Sequence, residues 1–328
     1  MKASIKIIIY LLFIVVTIAC EEKEDPVLTD QVVIIRSQSE LEAFSDQLEH
    51  TFYGSIYIGP FNKMLNVDGR FTTTDIKNLD ALNKLEKITG FLNISMNHEL
   101  VSIAGLNNLN SVGGELTINY NSKLTDLNSF NNLQHLSGKL WIRENQLLQD
   151  ISGFNSLIKL KKGIEIWDND SLKNITGFKK LKYIGGSFSL MGNRILTEIE
   201  SFNHLDSCNT IFLENTSLTD IEVLSNLNWV QILRIVDNPK LTNIDALTEL
   251  QTVHNMIDIR DNSSLVNLDG LSNLKYTSII SIKNNSVLSD FCGLNNLITN
   301  YDFSGSFETI GNAYNPSTKD IENGNCRQ

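Results

Sequence analysis

The chain has 328 residues, 41% of them hydrophobic and 20% charged, which excludes a wholly disordered chain and allows one large core or one elongated array. Its formal net charge of -11 argues against a nucleic-acid backbone as partner, because such a partner needs clustered lysine and arginine. With 4 cysteines and 4 prolines, a dense disulfide scaffold and a collagen-like chain are also excluded.

Taken in chain order, residues 1–19 read as an export signal. Lys2 and Lys6 give a positive start, and residues 7–18 are almost wholly apolar. A run of about a dozen residues is short for a membrane span, which needs roughly 20. Thr17-Ile18-Ala19-Cys20 then resembles a bacterial lipobox. The resemblance implies that Cys20 is diacylated, becomes the first mature residue and ties the chain to a membrane. An ordinary signal peptide and an uncleaved anchor are the alternatives. Two acyl chains hold a bilayer stably, where one does so only marginally. Residues 20–30 contain Glu21-Glu22-Lys23-Glu24-Asp25-Pro26 and read as an acidic, solvated tether. Acidic residues directly after a lipidated cysteine resemble tags that send some bacterial lipoproteins to the outer face of the outer membrane; a plain linker is the equal alternative. The expected location is an outer-membrane lipoprotein exposed at the cell surface.

Residues 31–54 read as an N-terminal cap. Val32-Val33-Ile34-Ile35 is β-prone, and Ser37 with Glu40 three residues later is a capping-box pattern. Leu41, Phe44 and Leu48 share one helical face, which predicts an amphipathic helix over 38–50.

Residues 55–300 repeat about ten times with a period near 24. The units 91–114, 115–138, 139–162 and 163–186 align as L-x-I-x-x-N-x-x-L-x-x-I-x-x-L-x-x-L-x-x-I. The L-x-I pair has period 2 and predicts a short strand with both apolar side chains on one face. The later apolar residues recur every third position, which suits a coil that turns corners and points one residue inward on each side. Asn97, Asn121, Asn145, Asn169, Asn193, Asn238, Asn262 and Asn285 form a column, expected to bond open backbone groups of the turn and of the adjacent coil. Stacked coils predict a parallel sheet. Ser55-Ile56-Tyr57-Ile58 starts it, and an insertion around 62–72 predicts a loop. Near Cys208 the period shortens and leaves Asn215 and Thr216 as alternatives for the column.

This pattern resembles leucine-rich repeats, and more closely the receptor L-domain type of right-handed parallel β-helix, over about residues 50–300. Ordinary leucine-rich repeats run L-x-x-L-x-L-x-x-N-x-L; the wider spacing here favours the L-domain variant. The resemblance implies a mostly β repeat solenoid, and such folds serve many binding roles. Residues 301–328 read as a C-terminal cap. A Cys292–Cys326 disulfide is expected to seal it, at roughly 3–4 kcal/mol in the chain-entropy model, with two free thiols as the alternative. Cys208 lies in an apolar column and reads as a buried, unpaired thiol.

The sequence offers little catalytic chemistry. The 5 histidines fall in different columns and coils, and no metal, P-loop or nucleophile-elbow motif occurs. Gly113-Gly114 and Gly185-Gly186 read as corner turns. Glu144, Asp168, Asp237 and Asp261 precede the asparagine column; a solvated row of turn residues outweighs a calcium site. No cofactor and no metal are expected. The outward strand position holds Tyr57, Asn93, Thr117, Trp141, Glu165, Ser189, Arg234, Asp258 and Ser281. The positions just after the strand hold Met96, Tyr120, Arg143, Trp167, Met191, Arg260 and Lys283. On this register Tyr57, Met96, Tyr120, Trp141, Trp167 and Met191 share one exposed face, a candidate ligand-binding surface. The competing reading is a ladder of rings covering neighbouring strands. Trp229 falls in a turn column and reads as structural. The expected function is a non-enzymatic, lipid-anchored protein that binds a protein or glycan through its sheet face, with a monomer favoured. The alternative is a structural or adhesive spacer without one defined ligand site. An enzyme would need an acid/base pair near the 62–72 insertion, and the sequence supplies none.

Overall fold

The computed structural model describes residues 31–60, 74–301 and 303–328. The export signal, Cys20, the acidic tether and the 62–72 insertion lie outside the described residues.

Each L-x-I pair forms a strand, and the strands stack in parallel in chain order. The main sheet runs Val32–Ile35, Ser55–Ile58, Leu92–Ser95, Leu116–Asn119, Leu140–Arg143, Ile164–Trp167, Tyr183–Met191, Ser207–Glu214, Trp229–Val236, Thr252–Arg260, Ile279–Lys283 and Ser306–Ile310. Its register holds the apolar pairs in line: Ile56, Leu92, Leu116, Leu140, Ile164, Phe188, Ile211, Leu233, Ile257 and Ile280 succeed one another and are all buried. Alternation along each strand sends this row and the one two residues later inward, leaving the intervening row outside. A second, four-stranded parallel sheet joins Thr51–Phe52, Lys87–Ile88, Ser111–Val112 and His135–Leu136. The molecule is therefore a mostly parallel β coil of solenoid type.

The third-position apolar residues close the coil through short 3-10 turns such as Ala104–Leu106, Glu222–Leu224 and Asp269–Leu271. Asn78, Asp126, Asp220, Asn243, Asn267 and Asp290 each accept the backbone N–H two residues on, which starts each turn. In the middle coils phenylalanine replaces leucine. Phe130, Phe154, Phe178 and Phe202 stack with ring centroids 5.1, 5.0 and 5.0 Å apart, matching the coil spacing. Phe154, Phe178 and Phe202 take left-handed backbone conformations, with φ of 65°, 61° and 67°, each costing of order 1–3 kcal/mol.

Along one corner runs the asparagine ladder. Asn121, Asn145, Asn169, Asn193, Asn238, Asn262 and Asn285 each donate Nδ2 to a strand carbonyl of the preceding coil at 2.7–3.1 Å. Asn97 does the same to Ile58 at 3.0 Å. The Oδ1 atoms of the later members accept the backbone N–H of the coil before, as in Asn145 N–H to Asn169 Oδ1 at 3.1 Å, while Asn97 Oδ1 accepts from the Thr74 hydroxyl at 2.7 Å. The short coil resolves the alternative near Cys208. Thr216 is buried and donates through both its backbone N–H and its hydroxyl to Asn238 Oδ1, at 3.1 and 2.7 Å. Asn215 sits one residue earlier, at the corner, with φ of 54°. Asn312 carries the ladder one coil beyond the repeats read from sequence, donating to Ile282 O at 2.9 Å.

Both ends depart from their expected bounds. The helix is Gln38–Ser45, not 38–50, because Gln47 and Leu48 bond back to Phe44 and Ser45 and turn the chain toward the strand Thr51–Phe52. Ser37 Oγ accepts from Glu40 N–H, while the Glu40 carboxylate accepts from Arg36 N–H rather than from the cap residue itself. Val32–Ile35 pairs with Ser55–Ile58 as part of the main sheet. At the other end the sheet continues past residue 300 into Ser306–Ile310. Cys292 and Cys326 form a disulfide, and Phe291 N–H donates to Cys326 O at 2.8 Å. The Cys208 thiol is buried, donates to Gly186 O at 3.1 Å and is pushed up to about 12 by burial, so it stays protonated at neutral pH.

Candidate functional site

Register decides which side chains share the outer face. One outward row runs Tyr57, Asn93, Thr117, Trp141, Glu165, Ser189, Phe212, Arg234, Asp258, Ser281 and Glu308. A second, two residues later, runs Ser95, Asn119, Arg143, Trp167, Met191, Glu214, Val236, Arg260, Lys283 and Ile310.

Met96 and Tyr120 belong to neither row, which corrects the sequence-based face. They lie one residue further on, at the left-handed corner, with φ of 61° and 58°, where later coils carry Glu144, Asp168, Asp237 and Asp261. A one-residue offset moves a side chain off the face of a strand. Tyr57 does face outward, but Asn93 and Thr117 stand between it and Trp141, about 14 Å at three strand spacings. Burial pushes the Tyr57 hydroxyl up from its ordinary range. Of the six residues, the register brings Trp141, Trp167 and Met191 together on adjacent strands.

The two tryptophans enclose a cation. Their ring centroids are 6.4 Å apart, and Arg143 Cζ lies 3.7 Å from each. Glu165, 5% exposed, pairs with Arg143 and accepts from Lys139 Nζ at 2.8 Å. Two cations on one desolvated carboxylate compensate its burial. Trp167 Nε1 donates to Ser189 Oγ at 2.8 Å. Trp141 Nε1 and Arg143 Nε, with Asn93 Oδ1 and Asn119 Oδ1, find no hydrogen-bond partner among the described residues. The N-terminal half of this face thus holds a rigid aromatic–cation cluster with uncommitted polar atoms.

The C-terminal half is ionic. Arg234 lies 3.4 Å from Glu214 and 3.7 Å from Asp258, Arg260 lies 3.4 Å from Asp258, and Lys283 pairs with Glu308 at 2.7 Å. Beside it runs an apolar row that the sequence reading missed, Ile232, Met256 and Ile279, in register. Its signal was the residue immediately before the apolar pair, a position left unread. Phe212 lies in the outward row itself, between Ser189 and Arg234, in the shortened coil whose register spacing alone left open. Trp229 is also corrected: it opens the strand Trp229–Val236 and is 37% exposed, in a row with Tyr183, Ser207, Thr252 and Tyr276.

The acidic corner offers no gathered metal site. Gly192 and Asn215 interrupt the row between Asp168 and Asp237. Among the described residues no three His, Cys, Asp or Glu side chains group to hold a metal ion. His50 pairs with Glu86, His98 meets Ser122 and His254 lies beside Tyr276, each on a different part of the coil. No protein-family model matches the chain, and no curated protein matches it.

Proposed function

We propose that the chain is a non-enzymatic, lipid-anchored protein of a bacterial outer membrane, exposed at the cell surface, that binds a protein or glycan through the outward face of its main sheet. In this reading the coil is a right-handed solenoid of the receptor L-domain-like type. The helix Gln38–Ser45 covers one end of the core, and the disulfide-tied segment after Cys292 covers the other. The anchor rests on the sequence around Cys20.

The observation that carries the binding role is the Trp141–Arg143–Trp167 cluster, half-exposed on a sheet whose backbone is fixed by coils on both sides. Tryptophan and arginine are the side chains most enriched at binding hot spots, and a rigid surface loses little entropy on binding. A screen of glycans and host proteins against the chain and its Trp141→Ala/Trp167→Ala variant tests this. Loss of a ligand in a variant that still melts cooperatively supports the face as the site. Retention of that ligand moves the site elsewhere.

The spacer reading draws support from the same cluster, because Lys139 and Arg143 already pair with Glu165 and neutralise it. Absence of any ligand in the screen favours it. For the anchor, Cys20→Ser should remove the acyl mass and release the chain from the membrane fraction; membrane retention of this variant would point to an uncleaved anchor.

A further inference from the structure

Residues 159–182 hold 7 of the chain's 27 lysines and arginines and only 3 of its 38 acidic residues, in a protein of net charge -11. Lys159, Lys161, Lys162, Lys179, Lys180 and Lys182 fall on two stacked coils. Lys159 pairs in register with Tyr183, and Lys182 N–H donates to Ile158 O at 2.9 Å. All six are exposed, and none forms an ion pair among the described residues.

The scaffold does not ask for lysine at these places. Asn108, Asn132, Asn226 and Asn273 each donate Nδ2 to a carbonyl of the preceding coil at 2.6–2.8 Å. Lys180 stands before Leu181 as Asn132 stands before Leu133, and it forgoes that bond. In the sheet register, Lys161 and Lys162 lie between Ser137-Gly138 on one neighbouring coil and Gly185-Gly186 on the other. At the 161–162 place the neighbouring coils carry only serine and glycine, while at the place of Lys180 other coils carry Lys84, Ser156, His204 and Glu249 as well as asparagine.

The cations also border a shaped surface. A depression of about 390 Å³ opens between His135, Ile158, Lys159 and Lys180. Ile158 is 56% exposed and Tyr183 38%, and Lys159 Nζ sits 4.9 Å from the Tyr183 ring centroid.

We propose that this patch binds an anionic carbohydrate chain, with phosphate or carboxylate groups on the lysines and a sugar face against Tyr183 and Ile158. It is a site separate from the outer sheet face. Charge-assisted contacts supply the attraction, and the apolar pair supplies a flat surface beside them. Extent selects the ligand. The patch is two coils wide, about 10 Å, which suits one strand of sugars. Duplex nucleic acid needs a longer basic track, and the acidic remainder of this chain repels it.

The test is titration of the full chain, purified in detergent, with oligogalacturonate, a phosphorylated mannan oligosaccharide, neutral dextran and single-stranded DNA of matched length. At least one anionic glycan should bind and dextran should not. That binding should weaken several-fold as salt rises from about 50 to 200 mM. Lys161→Ser/Lys162→Gly/Lys180→Asn should weaken it by about tenfold or more. Serine and glycine are the residues of neighbouring coils at 161 and 162, and asparagine is the residue two coils earlier at the place of Lys180, so the variant should melt no lower than its parent. Lys159→Gln/Lys182→Gln provides a second, charge-only variant. Binding of neither glycan, unchanged binding in both variants, or tighter binding of DNA than of either glycan would overturn the proposal.

Discussion

Asn169 and Glu165 sit on the same coil, one at the inner corner and one outside, and they satisfy their polar atoms by different means. Asn169 is wholly buried; it donates to the carbonyls of Ile142 and Trp167 at 3.1 and 3.0 Å and accepts from Asn145 N–H. Its other partners are the ladder amides Asn145 and Asn193 on the neighbouring coils, themselves bonded to backbone. Glu165 is nearly as buried, yet its partners are the long side chains of Lys139 and Arg143, 34% and 22% exposed. The inner arrangement repeats from coil to coil. The outer one changes with each strand, from Trp141 to Glu165 to Ser189. Architecture is thus set by the backbone-bonded inner rows, and the outer rows are left free to encode a partner.

The contrast is most exposed to failure in the core. Phe178→Ala removes the middle of the phenylalanine stack, where Phe154 and Phe202 lie 5.0 Å away on either side. The expected loss is about 3–5 kcal/mol in urea unfolding. Alanine inherits the same left-handed φ of 61°, so no strain is relieved. A loss under ~1 kcal/mol would mean that the neighbouring coils collapse freely and the stack does not fix their spacing. Asn169→Ala should come next, at about 3 kcal/mol, because it strands the Ile142 carbonyl and the Asn145 N–H in the core. Hydrogen exchange should accelerate at Asn145 first. Uniform exchange across all coils would contradict a local role.

Why the inner rows could be read and the outer ones only in part follows from the same physics. The apolar pair and the asparagine after it recur because every coil needs them, so Asn145, Asn169 and Asn193 declare themselves by spacing. Tyr120 and Asp168 occupy one corner position but share no chemistry, since only the left-handed backbone is common to them. That conformation leaves little trace in residue type, so spacing alone assigns Met96 and Tyr120 to the strand face and not to the corner they occupy. Thr216 hid because a hydroxyl can substitute for an amide in a shortened coil. The helix end at Ser45 depends on the strand Thr51–Phe52 finding Lys87–Ile88, a contact far away in sequence.

On the outside the expected effects are smaller. Glu165→Gln leaves Lys139 and Arg143 able to turn toward water, so the cost should be about 1 kcal/mol rather than the several expected for a fully enclosed pair. Thermal melting of Glu165→Gln beside Asn169→Ala compares the two faces directly. Equal losses would erase the distinction between them.

The smallest effect has a sign that pH can check. Burial, with Asp168 and Asp170 adding to it, raises the Glu144 carboxyl above its ordinary value of 4.5. The folded chain therefore holds that proton more tightly than the unfolded chain. Stability from this group is present below 4.5 and is lost as pH rises through the raised folded value. At pH 7 the charged carboxylate is a slight burden, and Glu144→Gln should melt marginally higher than the parent. As pH falls below 4.5 the parent carboxyl becomes neutral in both states, and the gain should vanish. A gain that persists unchanged in acid would assign the effect to the amide's own contacts at the corner, and not to relief of charge along the outer edge.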